Sequence, residues 1–242
     1  GTSPGKMAAI DGVFQLAAVA DELVHEHFAC DTRDHEDHTF CGVMFDLVCD
    51  SVLPLEHIEV ESISVRGALG ALTVWHTPDT FREKHASPAA WTKVYAAYHA
   101  ASVDALIELR LATPIRLRSG ESCGLYVHSA EPGDEAIVYD NQRSRRFTFS
   151  DRCLKLLPGM AHLSNRPFGD SGLWGQPWRN RREFVGRISY GVRWKMWSPE
   201  VHALFPHGFR RAVTTMLIAS RRPESLMYLL HDYIVLFIMN KC

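Results

Sequence analysis

EFVGRISYGVRWKMW, Glu183–Trp197, is the stretch whose reading decides the fold. Phe184, Ile188, Tyr190, Val192, Trp194 and Met196 share one parity, and Arg187, Ser189, Arg193 and Lys195 take the other. Successive side chains of a strand point to opposite faces, so this period of two predicts one long, half-buried β-strand.

The same period recurs upstream. Val43, Phe45 and Leu47 alternate in CGVMFDLVC. In HIEVESISV, Ile58 and Val60 share a parity that Ile63 and Val65 abandon, which predicts a bulge near Glu61. LGALTVWH is rich in strand formers and is closed by Pro78. ALIELRLATPIRLR alternates on either side of a break at Thr113-Pro114. CGLYVHSA, EAIVYD, RFTFSD and CLKLL continue the series, separated by Gly, Pro, Asp and Asn. Residues 81–105 read two ways, since Ser87-Pro88 suits a helix start while Trp91–Tyr95 suits a strand. About ten short strands between turn signals predict an all-β protein, an antiparallel β-sandwich of jelly-roll type.

Helical periodicity is confined to the flanks. Ile10, Val13, Phe14, Leu16, Ala17, Ala20, Leu23, Val24 and Phe28 form a stripe predicting an N-terminal helix over 7–28. After Ser198-Pro199, Val201, Leu204, Phe205, Phe209, Val213, Met216 and Leu217 predict an amphipathic helix. A last helix is predicted from Leu226 to Asn240, with Ser225 as its cap. The expected organisation is therefore 1–37 (helix and acidic, His-rich loop), 38–197 (sandwich) and 198–242 (helical extension).

Composition narrows the function classes. With 46% hydrophobic and 22% charged residues, the chain is expected to fold rather than stay disordered. The longest apolar run near the C-terminus, Ile234–Met239, is too short to span a bilayer, so no membrane role is expected. Asp11 and Asp21 interrupt the first apolar stretch, which argues against a secretory signal. Six scattered cysteines without a CxxC predict free, buried thiols and a cytosolic or nuclear protein. The net charge is −2, against a dedicated nucleic-acid binder, yet the charge is polarised. Asp11–Ser62 holds thirteen Asp/Glu and one Arg, whereas Ser164–Arg222 holds eleven Lys/Arg and three acids. The second region predicts a basic face for an acidic partner, with weak single-strand binding as its nucleic-acid variant.

Catalytic patterns are present but poorly framed. Gly120-Glu-Ser-Cys-Gly124 fits G-x-S-x-G, but a nucleophile elbow needs a helix after the turn, and LYVHSA is a strand. Ser122 is read as a hairpin residue. His27, Cys30, His35 and His38 have spacings that could chelate zinc, although no finger pattern is reproduced. Asp134, Glu135, Asp140 and Asp151 could pair for glycoside hydrolysis, but their Gly and Asn neighbours mark them as turn acids. No cofactor is implied, and a metal-dependent hydrolase is the least favoured alternative.

SNRPFGDSGLWGQPWRNRREF, Ser164–Phe184, is the leading candidate for a binding surface. It reads as a long loop whose Phe168, Trp174, Trp178, Arg179, Arg181 and Arg182 have the composition of an interaction hot spot. The alternative is a crossover packed onto the sandwich, its arginines paired with the acidic N-terminal region. Trp174, Trp178 or Trp91 could also serve as stacking platforms in a carbohydrate-binding sandwich.

The order of these segments resembles the PHR-type β-sandwich, a jelly-roll-like module of ubiquitin-ligase adaptors. FDLVCDSVLPLEHIEVESI, LATPIRLRSGESCGLYVHS, FTFSD and GRISYGV carry the resemblance over residues 38–194. SLMYLLHDYIVLFIMNKC is similar to the first helix of an F-box, departing from it at His231 and Tyr233. The resemblance implies a non-enzymatic recognition domain with a protein partner, belonging to a larger protein or assembly.

Overall fold

The computed structural model describes residues 25–143, 146–172 and 175–240. They divide into two units, one running His25–Arg193 and one starting at Trp194.

The first unit is built from thirteen strands: β1 His25–Asp31, β2 His38–Phe40, β3 Gly42–Cys49, β4 Leu55–Gly67, β5 Gly70–Pro78, β6 Thr92–His99, β7 Ser102–Leu117, β8 Ser122–Ser129, β9 Ile137–Asn141, β10 Phe149–Ser150, β11 Leu154–His162, β12 Trp178–Phe184 and β13 Arg187–Trp194. They form two sheets, ordered β1-β13-β4-β7 and β2-β9-β12-β11-β3-β8-β5-β6, with β10 on β11. The pairings are antiparallel, as expected of an all-β sandwich. Val43, Phe45 and Leu47 of β3, with Leu125 and Val127 opposite them on β8, are wholly buried. So are Ile58, Val60, Ile63 and Val65 of β4.

The bulge expected at Glu61 and the break expected at Thr113-Pro114 are one event. The register passes from Val60↔Ile115 to Ser62↔Arg110, so Leu111–Pro114 loop out opposite the single Glu61. Pro114 has no N–H to donate and therefore sits where the ladder is open.

Glu183–Trp197 is not one strand. β12 ends at Phe184 in the larger sheet and β13 begins at Arg187 in the smaller one. Between them Gly186 has φ +153, and a Cβ there would collide with the Ser64 carbonyl oxygen. Only glycine turns this corner. Thr32 holds it, its N–H donating to the Gly186 carbonyl at 2.9 Å and its Oγ1 accepting from the Gly186 N–H at 2.8 Å.

The predicted helix over 7–28 lies outside the described residues except at its end, where the structure differs. His25–Phe28 belong to β1, paired from His25↔Arg193 to Asp31↔Arg187. Phe28 stacks on Tyr190 with ring centroids 5.6 Å apart, and the Arg152 guanidinium covers it at 4.9 Å. Strand pairing thus takes over apolar residues that also fit a helical stripe. Of the ambiguous residues 81–105, both readings hold in part: Pro88–Ala90 form one 3-10 turn and β6 follows.

The second unit holds helix α1, His207–Ala219, and helix α2, Asp232–Met239, each preceded by a short 3-10 segment. Ser225 caps the second 3-10 segment, its Oγ accepting from Met227 N–H at 3.2 Å. Leu230-His231 interrupts what the sequence suggests is a single helix from Leu226 to Asn240. Trp197, Phe205, Val213, Val235 and Met239 form its small core. Asn240 clamps Trp197 from both sides of the peptide, accepting from its N–H and donating to its carbonyl.

Candidate functional site

Alternation puts Met44 and Asp46 of β3, Gly124, Tyr126 and His128 of β8, and Trp75 of β5 on the face opposite Val43 and Phe45. That face is not open to water. Met44, Tyr126, His128 and His162 are 0% exposed and Asp46 is 4% exposed. Two connections cover it.

The first runs from Asp79 to Trp91. Asp46 anchors it, accepting from Thr80 Oγ1 at 2.7 Å and from the Phe81 N–H at 2.9 Å. Desolvation raises the Asp46 carboxyl above its usual range, against the pull of those two bonds. Phe81 then lies against Met44 and Tyr126. The close approach requires Gly124, because a Cβ there would stand 2.6 Å from the Phe81 nitrogen. Trp91, donating to the Lys84 carbonyl at 2.9 Å, completes the cover and is only 7% exposed.

The second is Ser164–Gly172, the described first part of the candidate loop. Two buried histidines hold it down. His128 Nε2 donates to the Ser164 carbonyl and His162 Nε2 donates to the Gly169 carbonyl, both at 3.0 Å. With its proton on Nε2, His162 accepts at Nδ1 from the Tyr126 hydroxyl, 2.6 Å away. Burial pushes both imidazoles down to about 4, so they are neutral at pH 7. Phe168 takes a left-handed backbone, φ +57, and its ring fits among Trp75, Trp91 and Tyr126.

Phe168 is part of the cover rather than an exposed anchor. Trp178 stacks on His162 at 3.9 Å, so one indole face is occupied. Trp174 lies outside the described residues. The segment from Trp178 onward is strand β12 rather than loop. Arg182 lies over Tyr139 at 5.7 Å and donates to the Asn180 and Arg181 carbonyls. Arg181, at φ +60, is the extra residue of a bulge against Gly159/Met160, and it is exposed. Arg179 is half-buried.

Among the described residues, the acids of the N-terminal segment pair with arginines outside Ser164–Phe184. Asp31 holds Arg187, Asp34 and Asp37 hold Arg66, and Glu36 holds Arg143. Among the described residues, Arg166, Arg179 and Arg181 have no carboxylate within 4 Å.

Beside the latched loop lies a cleft of about 500 Å³, lined by Pro132 and Gly133 on one wall and by Ser164, Asn165, Arg166 and Ser171 on the other. The Cys41 thiol joins the walls from beneath, lying 3.3 Å from the Gly133 carbonyl and 3.4 Å from that of Leu163. Burial pushes this thiol up to about 11, which keeps it protonated and a donor.

The other candidates are not brought together. His27 and Cys30 stand on opposite faces of β1, with Cys30 buried and its thiol pushed up to about 12 by desolvation. His38 meets Asn141 at 2.7 Å, while the His35 backbone N–H donates to Asp140. Asp140 is not a turn acid. It lies in β9, 3% exposed, and accepts from the His35 and Glu36 N–H groups. Asp151 caps the turn before β11 and accepts from the Tyr190 hydroxyl at 2.6 Å. Ser122 opens β8 after a turn, with a strand following it.

Tyr126, His128, His162 and Asp46 were not marked by sequence reasoning, and Cys41 was marked only as one of the scattered thiols. A signal existed in GLYVHS: Tyr126 and His128 occupy the parity that a one-sided sheet gives to solvent, and a large ring there asks for a cover.

No protein-family model matches the chain, and no curated protein matches it. Among solved structures it is similar to a chain of the infectious bursal disease virus Gx strain, at 12% identity and a TM-score of 0.25, covering 81% of this chain and 48% of that one. A chain of the T13 particle of the same virus gives 11% identity, a TM-score of 0.22, and coverage of 81% and 47%. This chain spans about half the length of either. The functional reading accordingly rests on the geometry above.

Proposed function

We propose that the sandwich unit is a non-catalytic recognition module that binds an acidic, extended segment of a protein partner along the cleft beside Ser164–Arg166. The observation that carries this reading is the charge accounting. The acids at Asp31, Asp34, Glu36 and Asp37 are engaged by Arg187, Arg66 and Arg143, leaving Arg166, Arg179 and Arg181 without carboxylate partners among the described residues. A cleft whose walls are tied by a thiol and two neutral imidazoles is pre-organised, which lowers the ordering cost of binding. The resemblance of the sequence to PHR-type sandwiches supports the same class of role, within a larger assembly. A carbohydrate platform fits less well, since Trp91 is buried and Trp178 has one face covered.

The test uses fluorescently labelled decapeptides rich in Glu and Asp, with Lys-rich peptides as controls. Arg166→Gln/Arg179→Gln/Arg181→Gln is expected to weaken acidic-peptide binding at least tenfold and to flatten its salt dependence, with the urea midpoint unchanged. Equal affinity of variant and parent, or equal binding of both peptide classes, would remove the assignment.

A further inference from the structure

The helical unit carries a second concavity unrelated to the cleft above. It has a volume of about 350 Å³, at the small end of ligand sites, and is lined by His202, His207, Arg210, Arg211, Thr214 and Thr215. Five of these six recur at i, i+3, i+4, i+7 and i+8 along α1, which places them on one helical face. The opposite face, with Val213, Met216 and Leu217, packs into the unit's core.

Three features make this face more than a solvated stripe. First, its lining contains no carboxylate, and among the described residues neither Arg210 nor Arg211 has an acid within 4 Å. Two like charges lining one concavity repel each other, so the lining calls for a counter-charge. Second, Arg210 Nε is shielded from water and has no hydrogen-bond partner, a buried donor left unmatched on a residue of this lining. Third, the tautomer of His202 is set from behind. The Trp197 indole N–H donates to His202 Nδ1 at 3.0 Å, so a neutral His202 carries its proton on Nε2 and offers a donor.

The threonines add a complementary demand. Thr214 Oγ1 donates to the Arg210 carbonyl and Thr215 Oγ1 to the Arg211 carbonyl, both at 2.9 Å. Their protons are engaged within the helix, so toward a ligand they can only accept. An occupant should therefore be a multiply charged anion carrying hydroxyl donors beside it.

We propose that this concavity binds a phosphate monoester on a hydroxylated carrier, with the Arg210 and Arg211 guanidinium groups and the imidazoles of His202 and His207 taking the phosphate oxygens and Thr214 and Thr215 the carrier's hydroxyls. Guanidinium forks match phosphate geometry, and three terminal oxygens suit donors arriving from several side chains better than the two of a carboxylate. Exposed Leu204 and Ile218 flank the stripe, so the ester could be a soluble metabolite or a lipid headgroup.

The test uses the full chain with inorganic phosphate and glycerol 3-phosphate, followed by calorimetry and by histidine ring signals in NMR. Saturable binding is expected, tighter for glycerol 3-phosphate, with the His202 and His207 rings shifting among the thirteen histidines. Arg210→Gln/Arg211→Gln should weaken it at least tenfold, while Arg221→Gln/Arg222→Gln should leave it unchanged. Vesicles of phosphatidylcholine with and without phosphatidate separate the sources: Arg210/Arg211-dependent co-sedimentation with phosphatidate assigns a headgroup, and binding of the free ester alone assigns a metabolite. Absence of saturable binding in both arms overturns the proposal. So do unmoved His202 and His207 rings in the unaltered protein, a readout that holds even if the double variant fails to fold.

Discussion

His128 and His162 show how much one protonation step governs. Both sit near 4 when folded, against about 6.5 for a free imidazole. A base whose folded value is depressed binds fewer protons than its unfolded form, so its stabilising effect is complete above about 6.5 and is lost as pH falls toward 4. The full difference is roughly 3 kcal/mol for each group, as an upper bound for sites this buried. Asp46, raised rather than lowered, acts in the opposite sense and blunts the loss. Urea titrations between pH 7.5 and 4 are expected to show the midpoint falling below pH 6.5, and His162→Gln should flatten that slope. A slope unchanged by His162→Gln would mean this ring does not control the latch. Neither histidine was legible as a latch, because parity gives the face of a side chain without saying what covers that face. The arginines were legible as a class, yet which of them lack acidic partners depends on pairings more than a hundred residues apart, such as Asp31 with Arg187.

At the scale of elements, alternation located most strands and missed one corner. Phe184 and Ile188 keep a common parity through Val185-Gly186 because both sheets turn their apolar sides into one core, so the pattern carries no mark of a change of sheet. The mark is Gly186 alone. Gly186→Ala is expected to cost about 2–4 kcal/mol through the Ser64 clash and the φ of +153, read as a lowered urea midpoint. A loss below about 0.5 kcal/mol would mean the corner relaxes freely. The bulge at Glu61 was legible since a parity switch inside one strand leaves a trace; the passage of His25–Phe28 from helical stripe to strand was not, since β1 exists only through its pairing with β13.

At the scale of the molecule, five cysteines among the described residues are buried and free: Cys30 in β1, Cys41 just before β3, Cys49 ending β3, Cys123 in β8 and Cys153 just before β11. Scattered thiols without pairing motifs were readable as such in the sequence. Their distribution gives the protein a built-in set of chemical clocks. Each thiol becomes reactive only when the strand that carries or adjoins it leaves the sheet, so the rate at which an alkylating reagent reaches it times the opening of that strand. In a Cys242→Ser background, mass spectrometry should find Cys30 modified first, because β1 is an edge strand held on one side only, and Cys123 last, because β8 lies between β3 and β5. Simultaneous modification of all five would instead describe a sandwich that opens in a single step.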